Sequence, residues 1–490
     1  MNKINRRKFV GGLATSSLLL WLPKLQAQQS TPLVRYDIAS DAGQQMLDIY
    51  AYAVGRMTQI PVGDPRSWLW QWYTHAVDGR TTKNAEMERI LGFNPPLRQL
   101  AQDMWNTCPH QGGDPFYFLP WHRMYVYFFE EIVRFVSGVP SFTLPYWNYT
   151  SPDPSKRGIV PVQFRSPRAF IMLYRQNRNP VANSNFPITT GQQGDLMGIR
   201  NIMSTASYSD SGFIQGVGTR IDTGIHGFIH TLVGTETNMG NVPYAASDPL
   251  FWVHHANIDR MWASWNAAGR SNPTGTQQGL TQFVFADQTG ARRLGQVSDY
   301  LATEQLGYTY DTLMAVDGTE IRPTFNGQML TRSRRSVAAD AADNSTPSVI
   351  ARSSEAVTIE AKPVQVSLVP SQRSSMETDP SQRYFLVLRD LRAPSPPGVV
   401  YHIHLTHGIA PPEENNYVGS VTFFGAGSSG QGSHAGATQS MLKPLYSFDV
   451  TDVMSAIKDQ GPLELIMVTI VPNGTPASRA AIGAIELGTQ

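Results

Sequence analysis

The sequence predicts a multidomain α + β protein: a helical half, a polar linker and an antiparallel β-sandwich. Three observations carry this. Apolar residues recur at helical spacing from about residue 40 to 135, and again around "GIHGFIHTLV" and "DPLFWVHHANIDRMWASW". Residues 331–356, "TRSRRSVAADAADNSTPSVIARSSEA", are polar, small and aperiodic. Beyond them come short alternating or apolar runs separated by Pro and Gly clusters. At 490 residues the chain is long enough for two cores. The expected divisions are a leader over 1–27, a helical domain over 28–312, a linker over 313–360 and a sandwich over 361–490.

The first segment, "MNKINRRKFVGGLATSSLLLWLPKLQAQQ", has a basic start, an apolar run from about Val10 to Leu22 and a small-residue exit at Ala27. This pattern predicts a secretory leader. Arg6, Arg7, Lys8 and Phe9 resemble the twin-arginine export signal, which implies a periplasmic or extracellular protein folded before export. The apolar run is short for a bilayer span, and no later segment is longer, so no transmembrane segment is expected. Thirty-nine basic residues against 38 acidic ones leave a formal charge of +1. Such a chain has no field to gather nucleic acid or anionic lipid, which points to small-molecule chemistry.

In "DAGQQMLDIYAYAVGRM", Met46, Ile49, Tyr50 and Val54 share one helical face. "PWHRMYVYFFEEIVRFV" predicts a second helix with Pro120 in its first turn. Residues 150–220, rich in Pro, Gly, Asn and Ser, read as long loops. After the linker, "RYFLVLRDLR", "VVYHIHLTH", "VGSVTFFG", "LYSFDV" and "LELIMVTIVP" predict the strands. "RSRRS" in the linker is a site of the kind proteases nick.

His226 and His230 stand four apart, so a helix projects both imidazoles from one face. By itself an HxxxH pair in a long protein is more often structural. In "FWVHHANIDRMW" adjacent positions diverge by about 100°, so one histidine is expected as a ligand and its neighbour not. His255 has Asp259 on its own face, where a carboxylate would support a ligand. His254 faces Ile258 and Phe251, as a packed, hydrogen-bonded neighbour. One trio is therefore His226, His230 and His255, and another His75, His110 and His122. Imidazole-only ligation suits Cu, Zn, Fe or Ni alike. Cys108, the one cysteine, excludes an intrachain disulfide, and a lone cysteine is most often a small buried hydrophobe. His402 and His404 alternate on one strand face; with His407 they read as ordinary strand histidines.

"CPHQGGDPFYFLPWHR", "LPYWNY", the HxxxH pair, "DPLFWVHHANIDRMW" and the closing "YTY" at 308–310 together resemble the tyrosinase and polyphenol oxidase family over roughly residues 40–312. The resemblance implies a four-helix bundle holding two copper ions, with dioxygen as co-substrate and a small phenol as substrate. His75, His110 and His122 would bind the first copper, and His226, His230 and His255 the second. It also implies a thioether bond between Cys108 and His110, and a C-terminal domain that shields the site. In this family a carboxylate near the second copper, aided by an Asn directly after that copper's first histidine, is associated with hydroxylation of monophenols. This chain has Asp222 and Gly227 at those positions. The expectation is an oxidase of o-diphenols with weak monophenol hydroxylation. The alternatives are a tyrosinase with strong monophenolase activity, a hemocyanin-like dioxygen carrier and, more remotely, a mononuclear zinc hydrolase. A copper-loading partner and the oligomeric state stay open.

Overall fold

The computed structural model describes residues 32–109, 114–168, 170–323, 346–371, 382–426, 445–458 and 465–490. The expected leader, His110 and the "RSRRS" stretch lie outside the described residues.

The helical half is built around the Phe118–Ser137 helix, which buries Trp121, Tyr125 and Phe129 and stops at Gly138 in the left-handed region. The Asp41–Met57 helix packs on one side of it, and the Pro249–Ala267 helix on another. Ser40 caps the former by accepting a hydrogen bond from the Gly43 N–H, and Asp248 caps the latter through Leu250. The Pro249–Ala267 helix is buried through Trp265, so it is apolar or paired all round. Trp252 stacks on Phe129 at a centroid distance of 3.5 Å and sets the contact between these helices.

Asp259 ties two strands far apart in sequence, Leu33–Arg35 and Tyr308–Tyr310, to this core. Its carboxylate accepts hydrogen bonds from Arg35, Arg123, Tyr308 and Tyr310. The strand Leu33–Arg35 pairs in parallel with Tyr308–Tyr310, and the two strands together carry three of these partners, Arg35, Tyr308 and Tyr310. Burial pushes the Asp259 carboxyl up, but Arg123 and Arg35 hold it below the usual carboxylate range. A buried charge so fully paired is structural, and it leaves no oxygen for His255.

The C-terminal half is one antiparallel sheet rather than two facing ones. Its strands run in the order Tyr417–Val421, Val400–His407, Ile466–Asn473, Val364–Pro370, Ser348–Ser353, Ala480–Thr489, Tyr384–Arg392 and Leu445–Asp449, with Val357–Ile359 also on Ala480–Thr489. The two end strands come back together, with Gly419 against the Phe448 ring, so the sheet curls around a core of Leu386, Leu388, Tyr401, Ile403 and Ile485. Alternation and strand length alone do not separate a sandwich from a curled sheet. The linker prediction is likewise too long: Ser348–Ser353 and Val357–Ile359 are sheet strands inside the stretch expected as linker.

The halves share an extensive contact. Val400 enters the helical core, Phe213 packs with Phe385 and Val387, and the Gln490 side chain accepts a hydrogen bond from the Phe213 N–H at 2.7 Å. Among the described residues no helix is long and apolar enough to cross a membrane.

Candidate metal centre

Two clusters of potential ligands lie at the centre of the helical half. His75 ends the Trp68–His75 helix, His122 stands in the first turns of Phe118–Ser137, and Cys108 comes from the loop before it. Their ligand atoms all lie within 4.8 Å of one another, and all three residues are buried. The Cys108 Sγ is 3.3 Å from the His122 Nε2. Burial, with Asp222 next, pushes the Cys108 thiol up.

His226, His230, His254 and His255 form the second cluster, again within 4.8 Å. His226 closes the helical turn Arg220–His226, which kinks at Gly224, and His230 follows on Gly227–Val233. The clusters meet where the His122 and His255 rings stack in parallel at 4.2 Å.

The tautomers follow from the partners. His122 donates through Nδ1 to the Phe118 carbonyl at 2.8 Å, His230 to the Met239 carbonyl at 2.7 Å, and His226 to the Asp222 carbonyl at 3.2 Å. A carbonyl only accepts, so each Nδ1 carries the proton and each Nε2 presents a lone pair. The His230 and His254 Nε2 atoms and both ring nitrogens of His255 are buried without a hydrogen-bond partner among the described residues. Burial drives the His226 pKa down to about 3 and holds His230, His254 and His255 well below the usual histidine value, the neighbouring imidazoles adding to it for these three. Neutral, desolvated imidazoles with lone pairs aimed at a common space are what a transition metal requires.

The sequence-based expectations meet the structure unevenly. His75, His122, His226, His230 and His255 converge, and His110 lies outside the described residues. Asp259 does not support His255, being consumed by the arginines and tyrosines. His254 is hydrogen-bonded as expected, through Nδ1 to the Tyr149 hydroxyl at 3.1 Å, yet it belongs to the second cluster and is not apart from it. Asp222 is buried beside His226, its Oδ1 3.1 Å from Nδ1, the ring edge away from Nε2. Gly227 is buried directly after His226.

Sequence reasoning missed Phe424. This residue of the C-terminal half stacks on His230 at a centroid distance of 4.0 Å, with planes 8° apart, and packs on Ala76 and Val242. The two rings follow the end of the Tyr417–Val421 strand, and Phe423 joins the sheet's own core whereas Phe424 packs with the helical half, a division that no local pattern in "VTFFG" announces.

Residues 65–201 and 182–268 match the family pattern described as the common central domain of tyrosinase, and residues 338–486 match a domain of unknown function. A tyrosinase from Hahella sp. is 34% identical over 311 residues, 58% of this chain and 64% of the relative. A chloroplastic polyphenol oxidase from Malus domestica is 23% identical across 91% of this chain and 74% of its own length. An aureusidin synthase from Antirrhinum majus is 29% identical, and the chain spans half of it. In three dimensions the chain resembles latent apple tyrosinase, with a TM-score of 0.58 at 20% identity over 94% of this chain and 98% of that one, which shows a common fold.

Proposed function

The chain belongs to the tyrosinase and polyphenol oxidase family, and from that premise we propose that it is an exported dicopper oxidase that uses dioxygen to convert o-diphenols to o-quinones. The observation that carries this is the set of neutral imidazoles held by backbone carbonyls with Nε2 turned into one buried space. His75, His110 and His122 would hold one copper; His226, His230 and His255 the other. When bound, the copper pair supplies the two-electron exchange between dioxygen and the phenol.

The protein's own part is orientation and exclusion. Carbonyls of Phe118, Asp222 and Met239 keep the tautomers, and the rings of Phe118 and Phe251 pack against the histidines and keep water out. A phenol ring would stack on His230 in the space that Phe424 occupies. The C-terminal half therefore acts as a shield, and its movement precedes turnover. The test is copper stoichiometry with oxygen uptake on paired monophenol and diphenol substrates. Two coppers and catechol-dependent uptake are expected; reversible oxygen binding without uptake would instead describe a carrier.

The Cys108–His110 thioether belongs to the same reading: it would lock an imidazole of the first site. Peptide mapping of active, copper-loaded enzyme should recover the peptide that contains both residues two hydrogens lighter than its sequence requires, with no free thiol. A free, alkylatable Cys108 in that material would sink the bond.

Substrate preference follows from Asp222 and Gly227. The Asp222 carboxylate lies against the back edge of His226, and Gly227 offers no amide to orient a water as base for a phenol proton. Well-placed general bases contribute roughly 10²–10⁴-fold, so a poorly oriented one leaves hydroxylation weak. Gly227→Asn should raise the monophenol-to-diphenol rate ratio on the order of tenfold, within that range. Asp222→Ala should remove what hydroxylation exists. Wild-type enzyme that hydroxylates tyrosine as fast as it oxidises the catechol product would describe a full tyrosinase instead.

A further inference from the structure

The two halves are clasped at a point remote in sequence from the metal ligands. His402, on the strand Val400–His407, accepts a hydrogen bond at Nε2 from the backbone N–H of Gln193 in the helical half, at 3.4 Å. Its Nδ1 lies 2.8 Å from the Ser420 hydroxyl, which lies 2.8 Å from the Tyr417 hydroxyl, and Tyr417 donates to the Gln193 carbonyl at 3.3 Å. The proton positions then follow in one sense around a closed ring. Gln193 N–H donates to His402 Nε2, His402 Nδ1–H to Ser420, Ser420 to Tyr417, and Tyr417 back to the Gln193 carbonyl. Both backbone polar groups of Gln193, on the two peptide units that flank its Cα, are gripped by the opposite domain. Next to it Gly194, at φ +72°, packs so closely under the Tyr417 ring that a Cβ would stand 2.7 Å from it, and Asn473 donates to the Gly191 carbonyl at 2.8 Å.

This ring closes only with a neutral imidazole. A protonated His402 carries N–H groups at both ring nitrogens, and the one at Nε2 would confront the Gln193 N–H, two donors with no acceptor between them. We propose that His402 is a proton-operated latch: neutral, it holds the C-terminal domain closed over the metal cavity, and its protonation releases that domain. The proposal rests on the reading of Phe424 as a shield for what release accomplishes, but the latch itself is independent of copper.

The groups facing His402 are few. His404 follows on the same strand, Tyr417 lies on the neighbouring strand with its ring 6.0 Å away, and the strand on the other side presents Val471. On the helical half the nearest charge in sequence is Asp195, paired with Arg157 at 2.6 Å. Burial, then His404, lowers the His402 pKa to about 4. The sign follows. Above about pH 6.5, the ordinary histidine value, the imidazole is neutral in both forms and closure is undiminished. As the pH falls from there to about 4 the open form takes up the proton first. The closed-to-open ratio then falls by up to about tenfold per pH unit, roughly two orders of magnitude in all.

Hydrogen–deuterium exchange on the full chain between pH 7.5 and 4, corrected for intrinsic rates, reads the latch without reference to activity, with small-angle scattering as a second measure. In wild type the protection of the Gln193 amide should fall by up to about a hundredfold and the radius of gyration should rise, while the Phe118–Ser137 helix stays protected. His402→Gln keeps an acceptor that does not titrate, so its protection at residue 193 should be flat over this range. Tyr417→Phe removes the carbonyl clasp and the acceptor for Ser420 while leaving the His402 acceptor in place, and should open at a higher pH than wild type. Protection at Gln193 that is independent of pH in wild type, or that His402→Gln loses in step with wild type, would overturn the latch. So would loss of helix protection at the same pH, which would mark acid unfolding. Because neither measurement uses substrate or metal, a failed latch and a failed oxidase assignment are separately visible.

Discussion

His255→Ala should give a folded chain that retains the first copper, loses the second and oxidises catechols at less than about a hundredth of the wild-type rate. Changes behind a metal ligand typically cost 10–100-fold in affinity or activity, and loss of a ligand should exceed that range. The structure makes this variant informative because both ring nitrogens of His255 are buried without a hydrogen-bond partner among the described residues, and its ring stacks on His122 between the clusters. His254→Ala is the matched control. Its Nδ1 is engaged by Tyr149, so it should keep both coppers and lose less than His255→Ala. Copper analysis of the two variants decides between them. Loss of metal in His254→Ala with retention in His255→Ala would reverse the assignment within the pair.

Phe424→Ala should raise the catechol turnover of the intact chain by at least about tenfold, chiefly through a lower KM, with copper content unchanged. The phenyl ring gains about 1.5–3 kcal/mol from burial and about 0.5–1.5 kcal/mol from stacking, all of which a substrate must displace before its own ring reaches His230. The same truncation removes the packing on Ala76 and Val242, so thermal stability should fall while activity rises. A general loosening of the enzyme would instead lower both. Unchanged KM and turnover in Phe424→Ala would mean that the ring does not stand in the substrate's path.

Much of this site was legible in the sequence, because local spacing carries it. The separation of His226 and His230 places two imidazoles one helical turn apart whatever the surrounding fold, and "DPLFWVHHANIDRMW" announces its own cap and helix. The strand alternation of "VVYHIHLTH" likewise puts His402 and His404 on one face, where the structure has both buried. What alternation does not say is which body covers that face. The antiparallel strand-rich half was expected, but its arrangement as a sandwich is not what the strand order shows, for a related reason: strand runs are local, whereas the order of strands and the curl of the sheet depend on pairings across the whole C-terminal half.

The sequence by itself determined a helical part followed by a strand-rich part, the pairing of His226 with His230 on one helical face, and imidazole as the chemical class of ligand. These are properties of residue type and of separations within a helical turn or a strand. Only the tertiary structure decided that Asp259 serves Arg35 and Arg123 rather than His255, that Phe424 lies flat on His230, and that His402 grips the peptide of Gln193 across 209 positions. Each of these depends on which distant groups desolvate one another. A carboxylate, a ring or an imidazole takes its role from the partners that remain once water is excluded: for Asp259 these are assembled as the helical half folds, and for Phe424 and His402 only when the two halves meet.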